Sequence, residues 1–165
     1  MATFQLANLD ARLTYLALQY HLARPGSELD PETKQPQALG LTPVAQALEP
    51  QLEKAVAIIE LEERQRERLI IAIAGAMNEL KTYPLLDPLP PERGGGRRTT
   101  VPSFDAALRR LFPQVDADPD EATQLAGHLI ALRRRLERAA STQAHDDAAT
   151  ADGRRQWWRF WRKHD

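Results

Sequence analysis

Apolar residues recur along this chain mostly at helical spacing. Leu6, Leu9, Leu13, Leu16 and Tyr20 follow one another in steps of three and four, which places them on one face of a helix. Pro25-Gly26 stops that pattern, and residues 25–41 hold three prolines, so they read as a loop. Thr42-Pro43 restarts it: an N-cap hydroxyl followed by proline at the first helical position predicts a short helix over 43–49. Pro50 then breaks or kinks the backbone.

The next pattern is the longest. Leu52, Val56, Ile59, Glu63, Arg66, Ile70, Ile73, Met77 and Leu80 keep an unbroken four-three spacing, a heptad seam with two polar positions in its middle. It predicts one long helix over about 51–83, with Leu52, Val56, Ile59, Ile70, Ile73 and Met77 buried. The charged middle, Glu62 to Arg68, reads as a solvated stretch between two packed halves; the sharper alternative is that Glu63 and Arg66, on the seam, set the register of an antiparallel pairing. A helix of this length outruns its neighbours, so self-association or docking on a partner is expected.

Tyr83-Pro84 ends the long helix. Residues 84–102, rich in proline and glycine, read as a connection. Ser103 can cap a helix over 103–112 that carries Phe104, Leu108 and Leu111 on one face. Asp118-Pro119-Asp120-Glu121 opens a helix running to about Ala140, with Leu125, Leu129, Leu132 and Leu136 as its seam. Arg133, Arg134, Arg135 and Arg138 sit in its last turns, where cations suit the helix dipole. No strand pattern stands out. The expected fold is all-α: an antiparallel helical bundle over 1–140 built around helix 51–83, a linker over 141–153 and a short amphipathic tail helix over 154–165.

Composition bears on function mainly by exclusion. The net charge is −1 and there is no cysteine, which disfavours a globally basic nucleic-acid binder and removes thiolate chemistry. The first residues lack the pattern of a signal peptide, and the cytoplasm is the expected compartment, with room for peripheral membrane attachment. The abundant alanine, leucine and arginine fit a bacterial protein of high genomic GC content. None of the four histidines follows a glutamate by three residues, so the di-iron pair of helical bundles is missing. Asp116 to Asp120 begins like a calcium loop but has Glu121 where glycine is needed and Gly127 where glutamate is needed. Arg93-Gly94-Gly95-Gly96-Arg97-Arg98 has backbone donors that suit an anion but not the ending of a phosphate loop, and reads as a flexible linker. Pro88 to Arg93 fits a polyproline spacer. No catalytic residue, metal, cofactor or small-molecule substrate is inferred.

The last pattern is chemical. Trp157, Trp158, Phe160 and Trp161, with every tryptophan of the chain among them, lie beside Arg154, Arg155, Arg159, Arg162 and Lys163. At ~100° per residue the aromatics cover an arc of roughly 160°, and all the cations but Arg154 fill the rest. That is the layout of an interfacial amphipathic helix. In its chemistry the segment resembles the short Trp/Arg-rich membrane-active peptides of host defence. These residues are the expected attachment site of a non-catalytic adaptor or assembly protein, on an anionic membrane surface or a protein partner. The alternative is a subunit of a nucleic-acid complex, with Arg133–Arg135, Arg138 and the tail on phosphates and the indoles on bases.

Overall fold

A computed structural model describes residues 1–29, 34–35, 40–90, 92, 95–99 and 101–138. The chain divides into two compact units, 1–133 and 134–165. Of the second, only 134–138 are described, and they are helical. The expected linker, 141–153, and tail, 154–165, lie outside the described residues.

The fold is mostly helical, but it is not all-α. Strand β1 (Ala2–Ala7) pairs antiparallel with β2 (Val56–Leu61), with Ala2 opposite Leu61 and Ala7 opposite Val56. Between them come helix α1 (Asn8–Leu22), helix α2 (Thr42–Leu48) and a 3-10 turn at Glu49–Gln51. After β2 follow α3 (Glu63–Thr82), a 3-10 turn at Tyr83–Leu85, α4 (Pro102–Leu111), the short α5 (Gln114–Ala117) and α6, helical over 121–138.

The long helix over 51–83 is therefore two elements. Val56-Ala57-Ile58-Ile59-Glu60-Leu61 alternates: Ala57, Ile59 and Leu61 are buried, while Val56 and Ile58 are half exposed. A period of two with three β-branched residues is a strand signal. It lay concealed because Leu52, Val56 and Ile59 also satisfy a four-three spacing. What remains, α3, has 20 residues and spans about 30 Å at 1.5 Å per residue. With the long helix goes the reason for expecting it to outrun its neighbours and self-associate.

The true seam of α3 is Arg66, Leu69, Ala72, Ile73, Ala76 and Leu80. The expected register shares Arg66, Ile73 and Leu80 with it. Ile70 and Met77 are only half-buried, and Val56 is exposed. Glu63 and Arg66 pair with each other, Arg66 Nη2 donating to Glu63 Oε1 at 2.8 Å, rather than across a helix pair. A capping box starts the helix: the Glu62 N–H donates to Gln65 Oε1 at 3.0 Å, and the Glu62 side chain answers the Gln65 backbone.

The organising element is α1, which packs against α2, α3, α4 and both strands. Residues Leu13 through Leu18 are all buried, the signature of a helix enclosed on every side. Gly75 of α3 allows the closest approach. A Cβ there would meet Tyr20 Cε1 at 2.1 Å, and the Tyr20 ring stands edge-on to Phe104 of α4, centroids 5.8 Å apart. Leu6, expected on the α1 stripe, is buried from β1 instead, and Leu9 is exposed.

Polar side chains tie the ends of these elements together. Asn8 Nδ2 donates to the carbonyls of Leu52 and Lys54, at 2.7 and 3.0 Å, fixing the turn before β2 against the start of α1. Thr42 is the first residue of α2 rather than its cap, and its N–H and hydroxyl both donate to Glu28 Oε2. Helix α4 likewise begins one residue before Ser103, at Pro102. The Gln51 amide lies along β2 as a neighbouring strand would. Its Nε2 donates to the Ile58 carbonyl and its Oε1 accepts from the Ile58 N–H, both at 3.0 Å.

Candidate functional site

The nine aromatic and basic residues expected to form the attachment site, Arg154, Arg155, Trp157, Trp158, Arg159, Phe160, Trp161, Arg162 and Lys163, lie outside the described residues. The nine seam residues do not form one surface. Leu52 sits in the turn before β2, Val56 and Ile59 point to opposite faces of β2, and Glu63 to Leu80 follow α3.

A different cluster emerges where the sequence read as a linker. Tyr83 ends α3 fully buried, and its hydroxyl donates to Asp105 Oδ1 of α4 at 2.8 Å. Burial and that acceptor both push the Tyr83 pKa well above its ordinary value, so its proton stays committed to Asp105. Arg97 lies over the Tyr83 ring, 5.7 Å from its centroid, and donates to the carbonyls of Pro84 and Leu86. These bonds hold the start and end of the connection together.

The connection is a tight reversal. Pro88 and Arg97 form an antiparallel bridge, the Leu89 N–H donates to the Gly96 carbonyl at 2.8 Å, and the Arg98 N–H donates to the Asp87 carbonyl at 3.0 Å. Gly95 and Gly96 adopt φ of 68° and 80°, which other residues rarely hold. At Gly96 space is short as well: a Cβ would stand 2.4 Å from Asp105 Oδ2 and 3.1 Å from Arg109 Nη1. The glycine brings the loop backbone down onto α4, beside Asp105 and Arg109. Arg109 Nε donates to Asp116 Oδ1 at 2.7 Å, which holds its guanidinium in place and raises its already high pKa.

Between this loop and α4 lies an open cavity of about 390 Å³, whose lining includes Gly95, Arg97, Arg98, Thr99, Asp105 and Arg109. The Thr99 hydroxyl itself is buried, with no hydrogen-bond partner among the described residues. Three arginines thus line the cavity against one carboxylate, Asp105. The backbone donors of residues 93–98 are legible in the sequence, but the reversal that brings Gly95 and Gly96 down onto α4 is not. Its signal was adjacent glycines between a proline run and an arginine pair, the residues a tight reversal with positive φ demands.

Among the described residues no three His, Asp or Glu side chains are placed to hold a metal ion, and no helix is long and apolar enough to cross a membrane. Comparison with protein-family models, curated proteins and solved structures finds no match to this chain.

Proposed function

We propose that this chain is a non-catalytic adaptor or assembly protein. A helical body, read as a bundle centred on α1, carries residues 154–163 as a docking element for an anionic membrane surface or a protein partner in the cytoplasm. The observation that supports this reading is the composition of that segment: Trp157, Trp158, Phe160 and Trp161 with five cations in ten residues. Aromatic side chains contribute large buried areas to interfaces, and each cation near an anionic surface adds about 1 kcal/mol. Ten residues are too few for a stable free helix in water, so ordering of the segment is coupled to docking.

The test is binding of the intact chain, and of the variant W157A/W158A/W161A, to vesicles of phosphatidylserine and phosphatidylcholine across a salt series, with single-stranded DNA in parallel. The expected result is a blue shift of tryptophan emission on the anionic vesicles that weakens with salt, together with loss of vesicle co-sedimentation in the triple variant. Tighter binding to DNA than to vesicles, lost with the same variant, favours the nucleic-acid reading instead. Emission already blue-shifted in the free protein, and unchanged by vesicles, DNA or cell extract, means that the indoles pack within the chain itself, and the docking reading falls.

A further inference from the structure

The structure assigns the outer edge of β1 to a second copy of this chain: two β1 strands pair antiparallel about a two-fold axis at Gln5, joining two small sheets into one of four strands. Hydrogen bonding identifies the edge. The Asn8 N–H donates to the Ala55 carbonyl at 3.1 Å, and these two residues continue the β1–β2 register. Antiparallel pairs alternate between bonded and non-bonded, so Leu6 and Phe4 face β2 with their backbone groups while Ala7, Gln5 and Thr3 turn theirs outward. Among the described residues nothing pairs with those outward groups, and all three residues are exposed.

The edge carries none of the usual protections. Exposed strands are commonly shielded by a charged side chain, a proline or a bulge. Ala-Thr-Phe-Gln-Leu-Ala has no charge and no proline, and its register against β2 runs without a break. The edge also complements itself, as a two-fold contact requires. With Gln5 opposite Gln5 of the second copy, Thr3 falls opposite Ala7 and Ala7 opposite Thr3. Each of these pairs exchanges two backbone hydrogen bonds. No other register pairs all three residues within the strand. On the core face the same register sets Phe4, half-buried, directly across from Leu6 of the second copy, at the closer spacing of a non-hydrogen-bonded pair. This contact draws neither on α3 nor on residues 154–163, so it stands apart from the docking reading.

Sedimentation velocity of the intact chain over a concentration series, with amide exchange followed by NMR, tests this. A strand edge is a small contact, so a reversible monomer–dimer equilibrium is expected. The amides of Thr3, Gln5 and Ala7 should gain protection as concentration rises. The Gln5 side chain is exposed, so Gln5→Lys and Gln5→Glu in dilute solution should unfold at the temperature of the unaltered chain. Each variant alone sets like charges across the axis and should weaken the dimer about fivefold. Mixed, the two should form a heterodimer at least as tight as the unaltered pair, because opposite charges then meet. The W157A/W158A/W161A variant should dimerise as the unaltered chain does. A strict monomer at millimolar concentration overturns the proposal. So does association that the Lys and Glu variants, alone or mixed, leave unchanged, since the contact then lies elsewhere. Protection of the three amides that is independent of concentration also overturns it, because another segment of the chain then already covers the edge.

Discussion

Gly96 and Asp105 stand so close that a single added carbon would meet the carboxylate: a Cβ on Gly96 would lie 2.4 Å from Asp105 Oδ2. Gly26 has a similar φ, 75° against 80°, but nothing within 4 Å of such a carbon. The two positions separate backbone strain from crowding. Gly26→Ala is expected to cost about 1–2 kcal/mol, the strain of the left-handed conformation alone. Gly96→Ala should cost more, because Asp105 cannot retreat without giving up Tyr83. Urea unfolding of the two variants side by side checks this, and equal losses would show that crowding contributes nothing.

Removing the other partner of Asp105 has a different signature. Tyr83→Phe leaves a buried carboxylate oxygen without its donor and should destabilise by roughly 1–3 kcal/mol near neutral pH. It should also change the alkaline limb of the stability curve. Because the folded state raises the Tyr83 pKa, the unfolded chain releases that proton first, near pH 10. Above about pH 10 the unfolded state therefore binds fewer protons, and stability falls as pH rises, by at most about 1.4 kcal/mol per pH unit from this group. Tyr15, raised by burial and by its bond to Glu49, acts with the same sign. Unfolding free energies between pH 9 and 12 should fall less steeply in Tyr83→Phe than in the unaltered chain.

The register of α3 is testable with two isoleucines three residues apart. Ile73 is fully buried and Ile70 half-buried. Ile73→Ala is expected to cost about 2–5 kcal/mol and Ile70→Ala on the order of 1 kcal/mol. A larger loss at Ile70, measured by denaturant unfolding, would restore the heptad reading of this helix.

Gly75→Ala sets helix propensity against packing. Alanine gains about 1 kcal/mol over glycine in a helix interior. Here it also displaces the Tyr20 ring from its edge contact with Phe104. Overpacking costs typically about 1–3 kcal/mol, so a net loss of stability is expected. Pairing the change with Tyr20→Ala, which removes the obstacle, should turn the alanine into a gain relative to Tyr20→Ala alone.

Much of the helical content was legible in the sequence. Thr42-Pro43, Tyr83-Pro84 and the Phe104, Leu108, Leu111 triplet each mark an observed helix to within a residue or two. Those signals are local: a proline, a cap, one stripe. The strands were hidden because their pairing partners lie about fifty residues apart, and because Leu52, Val56 and Ile59 fit two periods at once. The centrality of α1 was understated for a related reason. A stripe occupies one face of a helix, whereas Leu13-Thr14-Tyr15-Leu16-Ala17-Leu18 is buried on all of them. The cavity was missed because it depends on positive φ at Gly95 and Gly96, a property of backbone geometry that a glycine permits but does not announce.

The amide of Gln51 has a consequence for how this molecule meets copies of itself. A strand with bare N–H and C=O groups invites another strand, and endless stacking needs two such rims per molecule. Ile58 turns both its backbone groups to Gln51, so by antiparallel alternation its opposite number, Gln5, turns its own away from β2. Among the described residues one rim of the sheet is thus stoppered at its middle and the other is bare. Strand-to-strand growth that can start on one side only ends when two bare rims meet. One glutamine side chain makes a pair, and not a fibre, the terminus of that route.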